Sequence, residues 1–363
     1  MPKLEGMPCF FLGANTPKGY FSRFDQLLSA APKGRCFLLK GGPGTGKSSV
    51  LKKTAAVLKE KFPGTELIFC SADADSLDAV ITPEGDFAVM DATLPHSVEP
   101  KYPGVYETVV SLCDCWNEAV LKENGEKAAA LFEENRKKHE EARRYIAAAA
   151  SLFEEAAKTE GECIDKEKII KAARRICYRE FGKKNIRQGA EKVRFLSAVT
   201  NKGICFFEKT AKLLCPKIYV LEDNCGAVSR IFMAAVRKTA VEHGLDIITC
   251  PCSVFPSEKI EHVLIPQIGV GFITSNKRHR AEIKPYKTVF AKRFIDEKKY
   301  RSQKARVRLA LRLGSKMIDE AAGCMNEAKQ IHDELEKIYI SAMDFSLVDK
   351  KAEEIINCIQ KKV

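Results

Sequence analysis

The chain has no apolar run near the ~18 residues a membrane span requires, and its start, MPKLEGMPCF, lacks the charged, apolar and small-residue regions of a signal peptide. These absences lead to the expectation of a cytoplasmic protein that does not enter a membrane. No disulfide framework is expected either. Fourteen cysteines are scattered from Cys9 to Cys358, and only Cys113/Cys115 and Cys250/Cys252 lie close together. Zinc sites ordinarily place two residues between paired ligands, so both pairs read as free thiols. With 45% hydrophobic and 30% charged residues among 363, a disordered or fibrous chain is excluded and two or three cores fit.

Acids are scarce in two stretches. Between Lys277 and Arg312 fourteen Lys or Arg face three acids, and between Lys171 and Arg194 nine face two. Such density suits an anionic partner, whether nucleic acid or the phosphates of a nucleotide held elsewhere; a solvated helix face is the plain alternative. A protein partner at 277–312 is a further expectation. Oligomeric state is not legible.

What is there begins with a repeat. FLGANTPKGY from Phe11 matches FLSAVTNKGI from Phe195, CFLLKGGPGTGKSS from Cys36 aligns with IYVLEDNCGAVSRI from Ile218, and DAVITPEGDFAVMDATLPH from Asp78 aligns with EHVLIPQIGVGFITSNKRH from Glu261. The offset stays near 182 residues, about half the chain, which reads as a tandem duplication. FFLGA, CFLLK, ELIFC and FAVMD are short apolar runs and read as buried strands; KIYVL, DIITC and VGFIT take their places in the second copy. SSVLKKTAAVLKEKF has helical spacing. The fold class expected is α/β, with two tandem P-loop-like parallel-sheet cores at 1–116 and 189–291. Each is followed by a long helical hairpin, at 117–188 with a break at Gly161 and at 292–363 with a bend near Met343 to Phe345.

Gly41-Gly42-Pro43-Gly44-Thr45-Gly46-Lys47-Ser48, followed by Ser49, fits G-x-x-x-x-G-K-[ST] without mismatch, after a predicted strand and before a predicted helix. Glycines there let backbone N–H groups turn inward as an anion nest at a helix N-terminus. Lys47 is expected on β- and γ-phosphate oxygens and Ser48 on magnesium. Asp91, closing a strand, is the second expected magnesium residue. No glutamate follows it: Ala92 stands where many ATP hydrolases polarise water. Candidates for the missing base are Asp73 and Asp75, otherwise a solvated turn capping a short helix from Ser76, and His96, which recurs as His279 and otherwise shapes its loop. Thr93 is a candidate phosphate sensor. No Asn-Lys-x-Asp occurs, Asn201-Lys202-Gly203-Ile204 lacking the acid, so ATP is preferred to GTP.

The second copy sets Ser229 against Lys47, Arg230 against Ser48 and Thr274 against Asp91, and reads as a nucleotide-incompetent pseudo-domain. Arg278, Arg280 and Arg293 are candidate sources of an arginine for the other copy's γ-phosphate. His332 and Glu336 share a helix face, as a metal pair or, more simply, a salt-bridged surface with Asp333.

FLGANTPKG, GGPGTGKSS, DSLDAVI, DATLPH with EPKYPG, and HDELEKIYISAMDF together resemble a tandem-duplicated P-loop ATPase-like family of spore-forming and related anaerobic bacteria, over the whole chain. The resemblance implies a P-loop fold and ATP binding; the altered second loop departs from it. FLGANTPKGYFSRFDQLL before the loop is also similar to the entry of AAA-type ATPases. The expected function is a slow ATPase acting as a nucleotide-dependent switch; the alternative is a kinase passing the γ-phosphate to a small molecule.

Overall fold

Short apolar runs punctuated by glycine and turn residues form strands, and the Ala/Glu/Lys-rich stretches form long helices, in the computed structural model, which describes residues 4–29 and 35–361. The first half runs β1 (Cys9–Phe11), β2 (Gly13–Thr16), β3 (Gly19–Ser22), α1 (Asp25–Ser29), β4 (Arg35–Lys40), α2 (Lys47–Lys61), β5 (Glu66–Phe69), β6 (Leu77–Ile81), β7 (Phe87–Asp91), β8 (Glu107–Ser111), α3 (Glu118–Glu123), α4 (Gly125–Gly161) and α5 (Lys166–Glu180). The second half runs β9 (Glu191–Val193), β10 (Ser197–Thr200), β11 (Gly203–Phe206), α6 (Glu208–Leu214), β12 (Lys217–Glu222), α7 (Ala227–Glu242), β13 (Ile247–Pro251), β14 (Ile260–Ile265), β15 (Val270–Ser275), β16 (Lys287–Phe290), α8 (Glu297–Arg301), α9 (Lys304–Ala342) and α10 (Phe345–Lys361).

The fold is α/β with two six-stranded sheets, ordered β1-β5-β6-β7-β4-β8 and β9-β13-β14-β15-β12-β16. Both are mixed, which corrects the expected parallel cores. β6 runs antiparallel to β5 and β7, and β14 antiparallel to β13 and β15. The physical reason is connection length: β5 to β6 and β6 to β7 are joined by short turns, whereas a parallel neighbour needs a crossover of about a dozen residues or more. The short helix expected from Ser76 is absent for the same reason, since Leu77 already opens β6.

Both hairpin breaks fall where expected, α4 ending at Gly161 and α9 at Ala342. Their second arms cross over. α10 buries Val348, Ala352, Ile355 and Ile359 against α2 and the first sheet. α5 buries Ile169, Ala173 and Ile176 against α7 and the second. Each sheet is thus covered by the other half's last helix, while α4 and α9 pack on each other around Ile146, Phe153, Ile318 and Met325. A single apolar cluster joins the inner faces of both sheets with α1 and α6.

The halves meet through matching places. Phe11 and Phe195 exchange both backbone hydrogen bonds, at 2.8 and 2.9 Å. Asp165 N–H donates to Phe294 O as Asp344 N–H does to Cys115 O. The buried pair Arg194 Nε to Glu66 Oε2, 2.7 Å, also ties one half to the other. All fourteen cysteines are free thiols, the two close pairs included. Among the described residues no helix is long and apolar enough to cross a membrane.

Candidate functional site

Between β4 and α2 the backbone turns on two positive-φ glycines, Gly44 (φ 67°) and Gly46 (φ 90°), conformations that a side chain would strain. Thr45 is buried, and its hydroxyl donates to Gly42 O at 2.9 Å, folding the loop on itself. α2 then starts with no side-chain cap, so the N–H groups of its first turn are free to face an anion.

Three polar side chains from the expected set converge here. Lys47 Nζ lies 3.7 Å from Asp91 Oδ2 and donates to Gly41 O and Gly42 O at 2.8 and 2.6 Å, folded back over its own loop. Ser48 Oγ is buried without a partner. Asp91 ends β7 beside β4, in register with Leu39. Its Oδ1 accepts from Thr93 N–H and Oγ at 2.9 and 2.6 Å, so Thr93 holds the carboxylate's orientation.

His96 also joins this cluster, with Nε2 3.9 Å from Asp91 Oδ1 and Nδ1 3.9 Å from Asp78 Oδ2. The ring stacks on Phe24 at 4.6 Å. Asp78, Asp91 and His96 offer ligand atoms within 4.8 Å of one another. Asp78 is missing from the expected residues. It sits in β6, is 4% exposed, and burial pushes its carboxyl up to about 6 even though His96 pulls the other way. A lone acid inside the apolar run LDAVI, matched by Glu261 in the second copy, was the available signal. Tyr20 stands 6.2 Å from His96 and needs the space above Gly13, where an added Cβ would fall 1.7 Å from the Tyr20 hydroxyl.

Asp73 and Asp75 are placed elsewhere. Asp75 pairs with Lys202 at the surface, and Asp73 lies 3.6 Å from Lys329 of α9, so both acids bridge the halves. His332 and Glu336 are a helix-surface pair at 3.5 Å, and Asp333 bonds Lys329.

What covers the loop is the other half's arm. A Cβ on Gly42 would meet Tyr339, one on Gly44 the Glu336 backbone at 2.8 Å, and one on Gly46 Val348 and Phe345. The hydrogen bond from His332, helped by Lys329 and the Gly44 amide, holds the Glu336 carboxyl below the usual range despite partial burial. Arg278 instead lies over Phe153 of α4, 4.0 Å from its ring centroid, in a cavity between that helix and the second core. Arg280 is exposed, and Arg293 lines a groove beside α5.

The second loop differs by more than its residues. α7 follows an αL glycine, Gly226, as α2 follows Gly46, so Ala227 and Val228 stand in the places of Lys47 and Ser48. This corrects the Ser229 and Arg230 pairing: four residues join β12 to α7 where six join β4 to α2, a gap that the ungapped match at an offset of 182 passes over. Asp223 fills the nest, accepting from the N–H groups of Cys225, Gly226 and Ser229 at 3.2, 3.0 and 2.7 Å. Lys259 packs against Gly226 and pairs with Glu261 at 2.8 Å. Burial raises the Glu261 carboxyl, but Lys259 outweighs it and holds it well below the usual range. Arg230 pairs with Glu154 of α4.

Free helix-start amides, an ammonium, a buried hydroxyl and an aspartate can together bind a phosphorylated group with a divalent cation; the second loop carries its own carboxylate instead. Set against protein-family models, curated proteins and solved structures, the chain finds no match.

Proposed function

We propose that the chain is an ATP-binding P-loop NTPase, a slow ATPase working as a nucleotide-dependent switch, with one competent site and one pseudo-site produced by tandem duplication. The observation that carries this reading is the convergence of the uncapped start of α2, Lys47, the unpartnered Ser48 hydroxyl and Asp91 at one sheet edge. Duplication is supported by the identical strand order, the matching senses and the reciprocal bonds between equivalent places. The motif resemblance to tandem P-loop ATPase-like proteins points the same way.

Bound magnesium would neutralise charge on the phosphates, held by Ser48 and Asp91. Lys47, released from Gly41 O and Gly42 O, would turn its ammonium to the phosphate oxygens. Thr93 keeps Asp91 oriented, and the buried His96 lies between Asp91 and Asp78, 3.9 Å from a carboxylate oxygen of each. With Ala92 following Asp91, no carboxylate is set there to polarise water, which accounts for a slow reaction. The switch reading gains from the cover: Tyr339, Glu336, Phe345 and Val348 lie against the loop's glycines, so phosphate entry works directly on α9 and α10.

Hydrogen exchange of the full chain with and without Mg·ATP tests this. Protection at 41–49 with altered exchange at 336–348 is expected. Protection at the loop with no change in α9 or α10 removes the switch, and a labelled small-molecule product from labelled ATP replaces it with the kinase reading.

A further inference from the structure

Both acid-poor stretches arrive at one place. α5 and β16, with the turn after it, enclose a groove of about 590 Å³ on the second sheet's flank, lined by Lys168, Lys171, Arg175, Arg179, Lys287 and Arg293. No acid lines it among the described residues. Lys168, Lys171, Arg175 and Arg179 recur at helical spacing, making a stripe about 16 Å long at 1.5 Å rise per residue. Lys168 Nζ donates to Arg293 O at 2.9 Å, closing one end. Arg179 is the one groove cation beside a carboxylate, Glu180 at 3.1 Å; among the described residues the other five have none within 4.0 Å.

The fold does not require this charge. In the other half, α10 packs in the position of α5. The shared caps Asp165 and Asp344 set Leu347, Lys350, Glu354, Cys358 and Asp114 in the places of Lys168, Lys171, Arg175, Arg179 and Arg293, so that only the Lys171 place keeps its cation. An equivalent surface is therefore built with mixed charge, and six like charges around one groove repel unless an anion lies between them.

Aromatic rings extend the groove. Arg179 donates to the Tyr219 hydroxyl at 2.9 Å, and Tyr219 meets Tyr286 edge to face at 5.4 Å. Tyr286 is 60% exposed, with Lys217 Nζ 4.3 Å above its ring. Cations alone would suit any polyanion; an exposed ring beside them suits unstacked bases, which a duplex does not offer.

We propose that the α5–β16 groove binds single-stranded nucleic acid, its cations tracking the phosphates and Tyr286 stacking a base. The surface is separate from the glycine-rich loop and does not depend on the ATP reading.

Fluorescence anisotropy of the full chain with a labelled single strand of about 20 nucleotides tests it. The expected result is binding that weakens steeply with salt, a loss of about tenfold or more on joint Lys171→Glu and Arg175→Glu, and no change with Lys350→Glu on the equivalent face. Tyr286→Ala should weaken single-strand binding about fivefold or more while leaving the salt slope unchanged. Circular dichroism and Tm check folding, and Lys287→Ala carries the comparison where the double variant is destabilised. Absence of oligonucleotide binding, binding untouched by the groove variants, equal loss with Lys350→Glu, duplex binding as tight and as sensitive to Tyr286→Ala, or binding only to anionic-lipid vesicles would each overturn the proposal.

Discussion

Asp223 is 3% exposed, and its two oxygens accept three backbone N–H bonds, so the second loop is ordered by its own carboxylate. Replacing it with alanine strands those donors in a buried site. Asp223→Ala is therefore expected to cost about 2 kcal/mol or more in urea unfolding, while leaving ATP affinity unchanged. Its neighbour Glu160 adds a pH signature. Burial, with Asp223 adding to it, pushes the Glu160 carboxyl from 4.5 up to about 7. The folded state keeps a proton there that the unfolded chain releases, so this group lowers stability as pH rises from 4.5 to about 7. Glu160→Gln should raise Tm by about 2 °C or more at pH 8 and leave it unchanged at pH 4.5. Lys47, Ser48, Asp91 and His96 were legible because the loop motif and strand end place them. Asp78 was not, because its one signal, a lone acid in a buried run matched by Glu261, lies at no motif's fixed spacing. Asp223 was hidden because the alignment matched it to Gly41, and only the helix start shows that the loop is shorter.

At the level of elements, the strands β4, β5 and β7, the helix α2 and the bends at Gly161 and Met343 followed from apolar runs and breaks in composition. β6 did not, neither as a strand between ELIFC and FAVMD nor in its antiparallel sense. A fully buried strand lacks the alternation that would mark its faces, and direction depends on turn length more than on residue type. Nor does helical periodicity say which neighbour an apolar stripe will meet, so the cover over the loop could not be foreseen. That cover has a measurable effect. The Glu336 carboxylate is drawn to the Gly44 amide and held by His332, and a phosphate taking up that amide as proposed would displace it. Glu336→Ala is expected to tighten ATP binding about fivefold, read as Kd by nucleotide fluorescence, since the competent state no longer competes with this contact.

For the whole molecule, the crossed arms make the sequence halves poor structural units. Residues 1–188 carry the loop but lack α10, whose Val348, Ala352, Ile355 and Ile359 fill the face beside α2. At about 1.5 kcal/mol or more for each of Val348, Ile355 and Ile359, that loss is comparable to the lower end of a domain's whole stability. Residues 1–188 alone are thus expected to lack a cooperative unfolding transition, which coexpression with 189–363 restores. The matching strand orders of the two halves were foreshadowed by their repeated motifs; the exchange was not, because likeness between halves does not say whose helix covers whose sheet. The most direct test of one competent and one self-filled site is calorimetric titration of the full chain with Mg·ATP. One site per chain is predicted, lost in Lys47→Ala while circular dichroism shows the chain still folded; two sites, no binding, or binding indifferent to Lys47→Ala would contradict the account.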